Sequence, residues 1–421
     1  MPILSHNGGD QTLLRKVNLT AVLNNLRQFN PMSRTDLADM THLNKATITR
    51  LVRELLEHRL VKEVGTRSSV MGSPSILLEL DPNAGYIIGI RLDVDYSAVI
   101  LTDFAAKIIW HSEKKHNPND SQELIQSHLL ELINAAINHV PYPERPILGL
   151  GLSVPGLVDE DKGTLLFAPN LGWHDVPLRS WLNTYFKFPI YADNEANLAA
   201  LGETFFGAGR DCDYVLYINI TYGVGSGIVL GQEILGGNNG VAGEVGHMTV
   251  DPNGPLCKCG NQGCWETLIS TPAIFRRIRN LIEEGHPSSL TDGDLTNFSH
   301  LSIPLVVKAA QAGDPVAVQV LHETAQYIGL GLANLINILN PKRVILGGYL
   351  RPAYPIMLPE ILEAVTRHAL KWSRDNTDIV IAHQGNEASL MGTIAMIYNH
   401  VLTYPVETLA RSGENGPSQR R

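Results

Sequence analysis

A cluster of potential metal ligands between residues 247 and 264 constrains this chain more than any other feature. It brings one imidazole and three thiols into eighteen residues: His247, Cys257, Cys259 and Cys264. Three thiolates with one imidazole form a closed tetrahedral set for zinc. Glycines at positions 254, 260 and 263 let the backbone turn tightly enough to bring the thiols together. The sequence therefore predicts a zinc site; the alternative is a group of buried, reduced cysteines beside an unrelated histidine.

The distribution of charge indicates a nucleic-acid-binding segment at the start of the chain. The formal net charge of the whole chain is -9. Residues 1–67 contain ten Lys or Arg and six Asp or Glu, a balance of +4, whereas the remaining 354 residues contain 23 and 36, a balance of -13. A small basic head on an acidic body is typical of a DNA-binding domain joined to a sensing or assembly domain.

The sequence shows no pattern typical of secretion or of membrane insertion. No run of eighteen apolar residues occurs, and residues 1–12 contain no basic segment followed by an apolar core. Clustered cysteines with metal-ligand spacing fit a reducing cytosol better than a disulfide framework, and Cys212 is interpreted as an ordinary free thiol. We therefore expect a cytoplasmic protein without a membrane span.

Three short helices are predicted near the start of the chain. The first has apolar residues at helical spacing: Val17, Leu19, Val22, Leu23 and Leu26. The second begins at Ser33, which forms a capping pattern with Asp36, and it turns Leu37 and Met40 inward. The third follows Asn44, a second candidate cap, and buries Ile48, Leu51, Val52, Leu55 and Leu56. Two helices joined by a tight turn are typical of a helix-turn-helix domain.

The face of the third helix opposite its apolar stripe carries the predicted DNA contacts. These are Lys45, Ala46, Thr47, Thr49, Arg50 and Arg53. In the major groove arginine reads guanine, and threonine or alanine can contact the thymine methyl group. The alternative interpretation is an ordinary solvated helix face with incidental arginines.

Two strands predicted at Leu60–Val64 and Ile76–Leu80, with the polar loop 65–74 between them, would add a wing to this head. Beyond Gly85 strands and helices alternate in two successive α/β halves. We place the winged helix-turn-helix domain at 1–81. The first lobe covers 82–193 with 382–404, the second lobe with the zinc site covers 194–381, and 405–421 is a disordered tail.

The metal-ligand segment also carries a family resemblance. Gly243-Glu-Val-Gly-His247, followed by Cys-Lys-Cys-Gly-Asn-Gln-Gly-Cys-Trp-Glu at 257–266, resembles the ROK family of repressors and sugar kinases. The resemblance extends over residues 12–402, and the N-terminal head is similar to the repressor branch. It implies a two-lobed body with the actin/hexokinase/Hsp70-like (ribonuclease H-like) fold. Ligands of such folds bind in the cleft between the lobes.

The resemblance also implies a set of sugar contacts. The matching positions are Asn170, Asn194, Glu195, Glu244, His247 and Glu266. His247 would bind zinc through one ring nitrogen and a sugar hydroxyl through the other, so that zinc orients a sugar contact. The alternative for any one position is a turn or a helix cap; Asn194, for example, could simply cap the helix that follows.

Two departures from the family pattern argue against kinase activity. Family kinases have an Asn-Asp pair whose Asp is the general base, and here the second position is Glu195, one methylene longer. They also have Asp-x-Gly-Gly-Thr after the first strand, where this chain has Asp93-Val-Asp-Tyr-Ser97. Without glycines there, the phosphates of ATP have no close backbone approach. We expect sugar binding without ATP use.

These observations together predict a sugar-responsive transcriptional repressor. A homodimer, or a dimer of dimers, would place two heads on a palindromic double-stranded operator. Sugar in the cleft would shift the lobes and lower the affinity for the operator. The head and the run 193–197 are most similar to xylose-responsive members, with glucose or N-acetylglucosamine 6-phosphate as alternative effectors. Two other functions stay open: an ATP-dependent sugar kinase with an accessory DNA-binding head, and a repressor controlled by a transporter protein partner.

Overall fold

A computed structural model of the chain describes residues 11–68, 74–117, 120–238, 240–291 and 300–403. Its contacts divide the chain into two compact units, Met1–Asp193 with Thr393–Arg421, and Asn194–Gly392. Part of the predicted wing loop, including Gly72 and Ser73, lies outside the described residues, as does the predicted tail. No described helix is both long and apolar enough to cross a membrane.

The head is built from three helices and a small antiparallel sheet. Its elements are α1 (Gln11–Phe29), β1 (Met32–Ser33), α2 (Arg34–Thr41), α3 (Lys45–Glu57), β2 (Val61–Arg67) and β3 (Ser75–Leu80). The strand order is β1-β3-β2, which confirms the winged helix-turn-helix fold. Both predicted caps form: the Ser33 hydroxyl accepts from Asp36 N while the Asp36 carboxylate accepts from Ser33 N, and Asn44 Oδ1 accepts from Thr47 N at 2.8 Å.

Two predicted core positions in the head are wrong. Met40 is 49% exposed, and Leu56 is only half-buried. Met40 lies in the last turn of α2, where the helix ends at His42 in the left-handed region, so Ala38 fills the inner position instead. Val17 of α1 is 56% exposed, and the buried apolar residues of this helix begin at Leu19.

The rest of the first unit contains a five-stranded sheet and a small three-stranded one. Its strands are β4 (Tyr86–Leu92), β5 (Tyr96–Asp103), β6 (Ile108–Lys115), β7 (Ile147–Val154), β8 (Leu157–Asp159), β9 (Thr164–Ala168), β10 (Trp173–Val176) and β11 (Ile190–Asn194). The larger sheet has the order β11-β7-β4-β5-β6 and the smaller one β10-β9-β8. Helices α4 (Gln122–Asn138) and α5 (Leu178–Asn183) pack on the apolar core.

The second unit is another α/β layer with its own core. Strands β12 (Tyr214–Ile220), β13 (Val224–Leu230), β14 (Glu233–Ile234), β15 (Arg343–Gly348) and β16 (Asp378–Ile381) form a sheet of order β14-β13-β12-β15-β16. The helices are α6 (Glu195–Phe206), α7 (Glu266–Ile269), α8 (Thr271–Glu283), α9 (Ile303–Gln311), α10 (Pro315–Leu339), α11 (Tyr354–His368) and α12 (Lys371–Arg374). The two successive α/β halves predicted from the sequence are confirmed.

The last helix, α13 (Ala388–Thr403), has residues in both units. In the second unit its first turn packs on α6 at two glycines. A Cβ at Gly392 would lie 1.7 Å from the Leu198 carbonyl oxygen, and one at Gly202 would lie 2.1 Å from that of Ala388. In the first unit Thr393 packs on β4 and β7, where Gly89 and Gly151 leave room for it. Close backbone contact at both places makes α13 a tightly held element.

Candidate metal centre, sugar contacts and DNA-binding helix

The structure brings the four predicted metal ligands together. One donor atom from each of His247, Cys257, Cys259 and Cys264 lies within 4.8 Å of all the others. The Cys259 and Cys264 sulfurs are 3.7 Å apart, and so are Cys257 Sγ and His247 Nδ1. A tetrahedral zinc with bonds of about 2.3 Å to sulfur needs donor separations of about 3.8 Å. The donor set and its spacing therefore fit a tetrahedral metal ion.

The loop that carries these thiols depends on a glycine and a tryptophan. Gly263 has φ +70°, and a Cβ there would lie 1.6 Å from the Asp251 carbonyl oxygen, so that no other residue fits. Trp265, next to the last ligand, is completely buried and donates from Nε1 to the Tyr327 carbonyl on α10 at 2.8 Å. A Cβ at Gly331 would collide with this indole ring. The loop is thereby anchored to the core of the second unit.

The thiols differ in how readily they ionise. Burial raises the pKa of Cys257 and of Cys264, whereas a hydrogen bond from the Asn261 backbone lowers the pKa of the exposed Cys259. A metal binds thiolates, so binding at this site would release protons and would be favoured as the pH rises.

Two predicted sugar contacts lie beside the metal ligands. Glu266 opens α7, and its Oε1 is 2.9 Å from Cys257 Sγ and 3.8 Å from His247 Nδ1. Its other oxygen, Oε2, lies near Gly223: a Cβ added at Gly223 would be 3.2 Å from this oxygen. Glu244 is an exposed residue, yet partial burial of its carboxylate raises the pKa of that group by desolvation. The nearby His247 lowers the pKa of Glu244, and the nearby Glu266 raises it further. The two carboxylates and the imidazole are therefore close enough to interact electrostatically.

The other sugar candidates lie at the start of α6 and in a turn of the first unit. Asn194 caps α6, its Oδ1 accepting from Ala196 N at 2.7 Å, so the capping interpretation is correct for that oxygen. Glu195, half-buried, is the first residue of the helix. Asn170 is exposed in the turn between β9 and β10. Asn170 belongs to the first unit, whereas Asn194 and Glu195 belong to the second.

The turn after the first strand of the body is filled by its own side chains. Arg91 forms a buried ion pair with Asp93, and its guanidinium lies 5.2 Å from the centre of the Tyr96 ring. Desolvation raises the pKa of Tyr96 to about 12. Ser97 is buried and hydrogen-bonds to His116 Nε2 at 2.7 Å. Side chains of this turn thus already engage Arg91, Asp93 and Ser97.

Glycines in the second unit that resemble a phosphate loop have packing roles. Gly225 and Gly227 lie within β13, and Cβ atoms there would contact α6 at 3.0 Å from Ala196 Cβ and 2.5 Å from Ala200 Cβ. At the end of β15 a Cβ on Gly347 would lie 1.9 Å from the Tyr217 hydroxyl. Strand-to-helix packing and a buried tyrosine therefore account for these glycines.

The predicted DNA contacts share one accessible face of α3. Lys45, Ala46, Thr49, Arg50 and Arg53 are exposed and Thr47 is half-buried, while the opposite stripe is in the core. The Thr49 hydroxyl donates to the Lys45 carbonyl at 2.8 Å, within its own helix. This face can lie against a nucleic-acid groove.

Two ion pairs that the sequence did not predict connect the α2 segment to strand β2. Arg67 Nη1 lies 3.1 Å from Asp36 Oδ2, and Arg34 Nη2 lies 3.0 Å from Glu63 Oε1. Hydrogen bonding to the Ser33 backbone and side chain, with a smaller contribution from the Arg67 guanidinium, holds the pKa of Asp36 below its usual range. The charges were visible in the sequence, but their partners lie about thirty residues away and no local pattern connects them.

Comparison with known proteins agrees with these observations. The ROK family profile matches residues 87–400, and the IclR helix-turn-helix domain profile matches residues 18–65. The chain belongs to the ROK family. It is 34% identical over 397 residues to the xylose repressor of Caldicellulosiruptor bescii. The aligned region covers 94% of this chain and 99% of that protein.

Two solved structures represent the two branches of the ROK family. A ROK family transcriptional regulator, a homolog of the E. coli MLC protein, superposes with TM-score 0.81 and 28% identity over 95% of this chain and 99% of its own. A ROK family glucokinase from Streptomyces griseus, in complex with glucose and AMPPNP, has TM-score 0.64 and 30% identity over 75% of this chain and 100% of its own. The regulator covers the head as well as the body, whereas the kinase covers less of the chain.

Proposed function

We propose that this chain is a sugar-responsive, DNA-binding transcriptional repressor. The proposal rests on one observation: the chain combines a helix-turn-helix head with a ROK body. The third helix of this head exposes two arginines. Relatives that span nearly the whole chain are named as a xylose repressor and a transcriptional regulator, which supports the same function. Xylose is the first effector to test.

The sugar site would be formed by Asn170, Asn194, Glu195, Glu244, His247 and Glu266. Amide and carboxylate groups are suited to sugar hydroxyls because each can accept or donate at a defined angle. The ligand spacing fits zinc, held by His247, Cys257, Cys259 and Cys264. When bound, zinc would offset most of the negative charge of the three thiolates and fix the imidazole ring. His247 Nδ1 faces the thiols, so Nε2 is the nitrogen that can approach a sugar hydroxyl.

Phosphoryl transfer is not part of this proposal. Backbone amides must approach the phosphates of a nucleotide closely, and the turn that would do so contains Asp93 and Tyr96, which Arg91 already engages. Glu195 also extends its carboxylate one methylene further than the usual aspartate. Both features are consistent with the repressor names of the relatives that cover the head.

A route for coupling sugar to DNA runs through α13. Asn194 caps α6, and α6 packs backbone-to-backbone on the start of α13 at Gly202 and Gly392. At the other end of α13, the Leu402 carbonyl accepts a hydrogen bond of 2.8 Å from the hydroxyl of Thr20, which lies on α1 of the head. We infer that a ligand-dependent movement of α6 reaches the head through this helix.

Replacing Thr20 with valine tests that route. The variant keeps the side-chain shape but removes the hydrogen bond to Leu402, so sugar should lower the DNA affinity about fivefold less than in the original protein. DNA affinity without sugar, and sugar affinity, should stay within about twofold. Thr184→Val removes a comparable hydroxyl-to-carbonyl bond, to Trp181, and is the control. Unchanged coupling in Thr20→Val would eliminate this contact from the route.

The proposed function is tested by fluorescence anisotropy on DNA from the upstream region of the gene itself. We expect tight binding that xylose weakens at least tenfold, with glucose and N-acetylglucosamine 6-phosphate as the alternative effectors. Tight binding that no sugar changes would favour control by a protein partner such as a transporter domain. Absence of DNA binding, together with sugar-dependent ADP formation that disappears in Glu195→Ala, would establish the kinase instead.

A further inference from the structure

Two tyrosines lie at one edge of the sheet in the second unit. Tyr222 is in the turn between β12 and β13, and Tyr349 directly follows β15. Strands β12 and β15 are parallel neighbours, so both tyrosines lie at the carboxyl ends of strands, the edge where α/β sheets commonly bind ligands. Their ring centres are 5.5 Å apart, and the rings are nearly perpendicular. Tyr222 is 55% exposed and Tyr349 is half-buried. These two residues form the aromatic pair.

Backbone contacts hold the aromatic pair in place. Tyr349 N donates to the Ile220 carbonyl at 2.8 Å. The preceding Gly348 has φ +84°, and a Cβ there would lie 2.3 Å from the same carbonyl oxygen. On the other side, Thr271 N, at the start of α8, donates to the Thr221 carbonyl at 3.0 Å. Because these bonds tie down the segments that carry both rings, a ligand would not have to order them on binding.

A proposed sugar contact lies next to the aromatic pair. Gly223 directly follows Tyr222, and a Cβ added at Gly223 would lie 3.2 Å from Glu266 Oε2. Glu266 is half-buried at the start of α7. Its carboxylate can accept from sugar hydroxyls, whereas tyrosine offers an apolar ring face and a polar hydroxyl. This edge therefore combines a polar anchor for one sugar ring with an aromatic surface for a second ring.

The charges and amides of this edge are unsuited to a phosphate group. The Glu266 carboxylate would repel a phosphate close to Gly223. A helix N-terminus binds anions through its free amides, and in α8 the first amide is already taken by the Thr221 carbonyl. The second residue of α8, Pro272, has no N–H. A neutral ring with hydroxyl groups fits this edge better than a nucleotide.

We propose that the aromatic pair binds the second ring of a disaccharide whose first ring is held by Glu266. The apolar C–H face of that second ring would lie on the ring of the exposed Tyr222, and Tyr349 would support Tyr222 from behind. Effector size would then be read at the aromatic pair, since a monosaccharide reaches Glu266 without covering Tyr222. The inference rests on the proposed function, because it names the class of sugar that the repressor recognises.

Calorimetric titration of the intact protein without DNA tests the proposal. The probes are xylose with xylobiose, and glucose with cellobiose and maltose. In the original protein we expect at least one disaccharide to bind about tenfold more tightly than its own monosaccharide, because stacking adds to the contacts of the first ring. In Tyr222→Ala this advantage should fall to about twofold or less, while affinity for the monosaccharide changes less than about twofold. Tyr222→Phe keeps the ring and should keep the advantage.

Tyr185→Ala is the matched control for Tyr222→Ala. Tyr185 is 57% exposed and also forms an edge-to-face pair, with Trp181, but it belongs to the first unit. This variant should leave the affinities for monosaccharide and disaccharide unchanged. Circular dichroism checks that each variant is folded.

Several results would overturn the proposal. Disaccharides that bind no more tightly than their monosaccharides, or an advantage that survives in Tyr222→Ala, would show that the aromatic pair takes no second ring. AMP binding that Tyr222→Ala abolishes would show that this edge takes a nucleobase instead. If a monosaccharide binds and releases DNA but no disaccharide binds more tightly, the proposed repressor function stands and only this inference fails. If no sugar binds at all, both fail.

Discussion

Replacing Cys257 with serine is expected to abolish stoichiometric metal binding. Cys257 is buried and its sulfur faces both His247 Nδ1 and Glu266 Oε1, so it lies at the centre of the candidate site. A serine hydroxyl is a poor zinc ligand at neutral pH, and the remaining three donors leave one corner of the tetrahedron open. Elemental analysis of the purified protein after desalting should find zinc in the original chain and almost none in the variant.

The same substitution should weaken sugar binding about 10- to 100-fold, because it frees the imidazole of His247 and the carboxylate of Glu266 from their orienting partner. Cys212→Ser is the matched control, since Cys212 is buried in the same unit but is not part of the ligand cluster. That variant should keep both zinc and sugar affinity. Full zinc content in Cys257→Ser would show that the metal assignment is wrong.

Replacing Arg50 with alanine should lower affinity for the specific DNA site about 10- to 100-fold. Arg50 is exposed on the face of α3 that can enter a major groove, and loss of one arginine contact to a base costs about 1–3 kcal/mol. The affinity for sugar should not change, because the residue lies in the head. Anisotropy titrations against specific and scrambled DNA, with calorimetry for the sugar, measure the two effects separately.

Lys107→Ala is the control for Arg50→Ala. It removes one positive charge from the exposed turn between β5 and β6 of the same unit, which is not part of α3. General electrostatic attraction to DNA would make the two variants similar, whereas base reading makes Arg50→Ala much worse and reduces the preference for the specific site. An equal loss of DNA and sugar affinity in Arg50→Ala would contradict the division of functions between head and body.

Features that depend on neighbouring residues could be predicted well. The capping box of Ser33 and Asp36 and the Asn44 cap form as expected, because each involves a backbone group three positions away. The metal ligands were recognisable for a similar reason: three of the four lie within eight residues, and turns at glycine bring such neighbours together. Met40 was mispredicted because its helix ends there, and whether a last turn is covered depends on distant residues.

The sequence alone determined the kinds of chemistry present: a metal-ligand set, carboxylates for a polar ligand, and a basic helix on an acidic body. Only the tertiary structure decided how those groups are used. It placed Glu266 against Cys257 and Gly223, engaged Arg91 with Asp93 and Tyr96, and brought Tyr222 to Tyr349. The physical reason is the separation along the sequence of the residues in contact. Caps and turns arise from contacts between neighbouring residues, whereas these placements depend on packing between segments that are distant in the sequence.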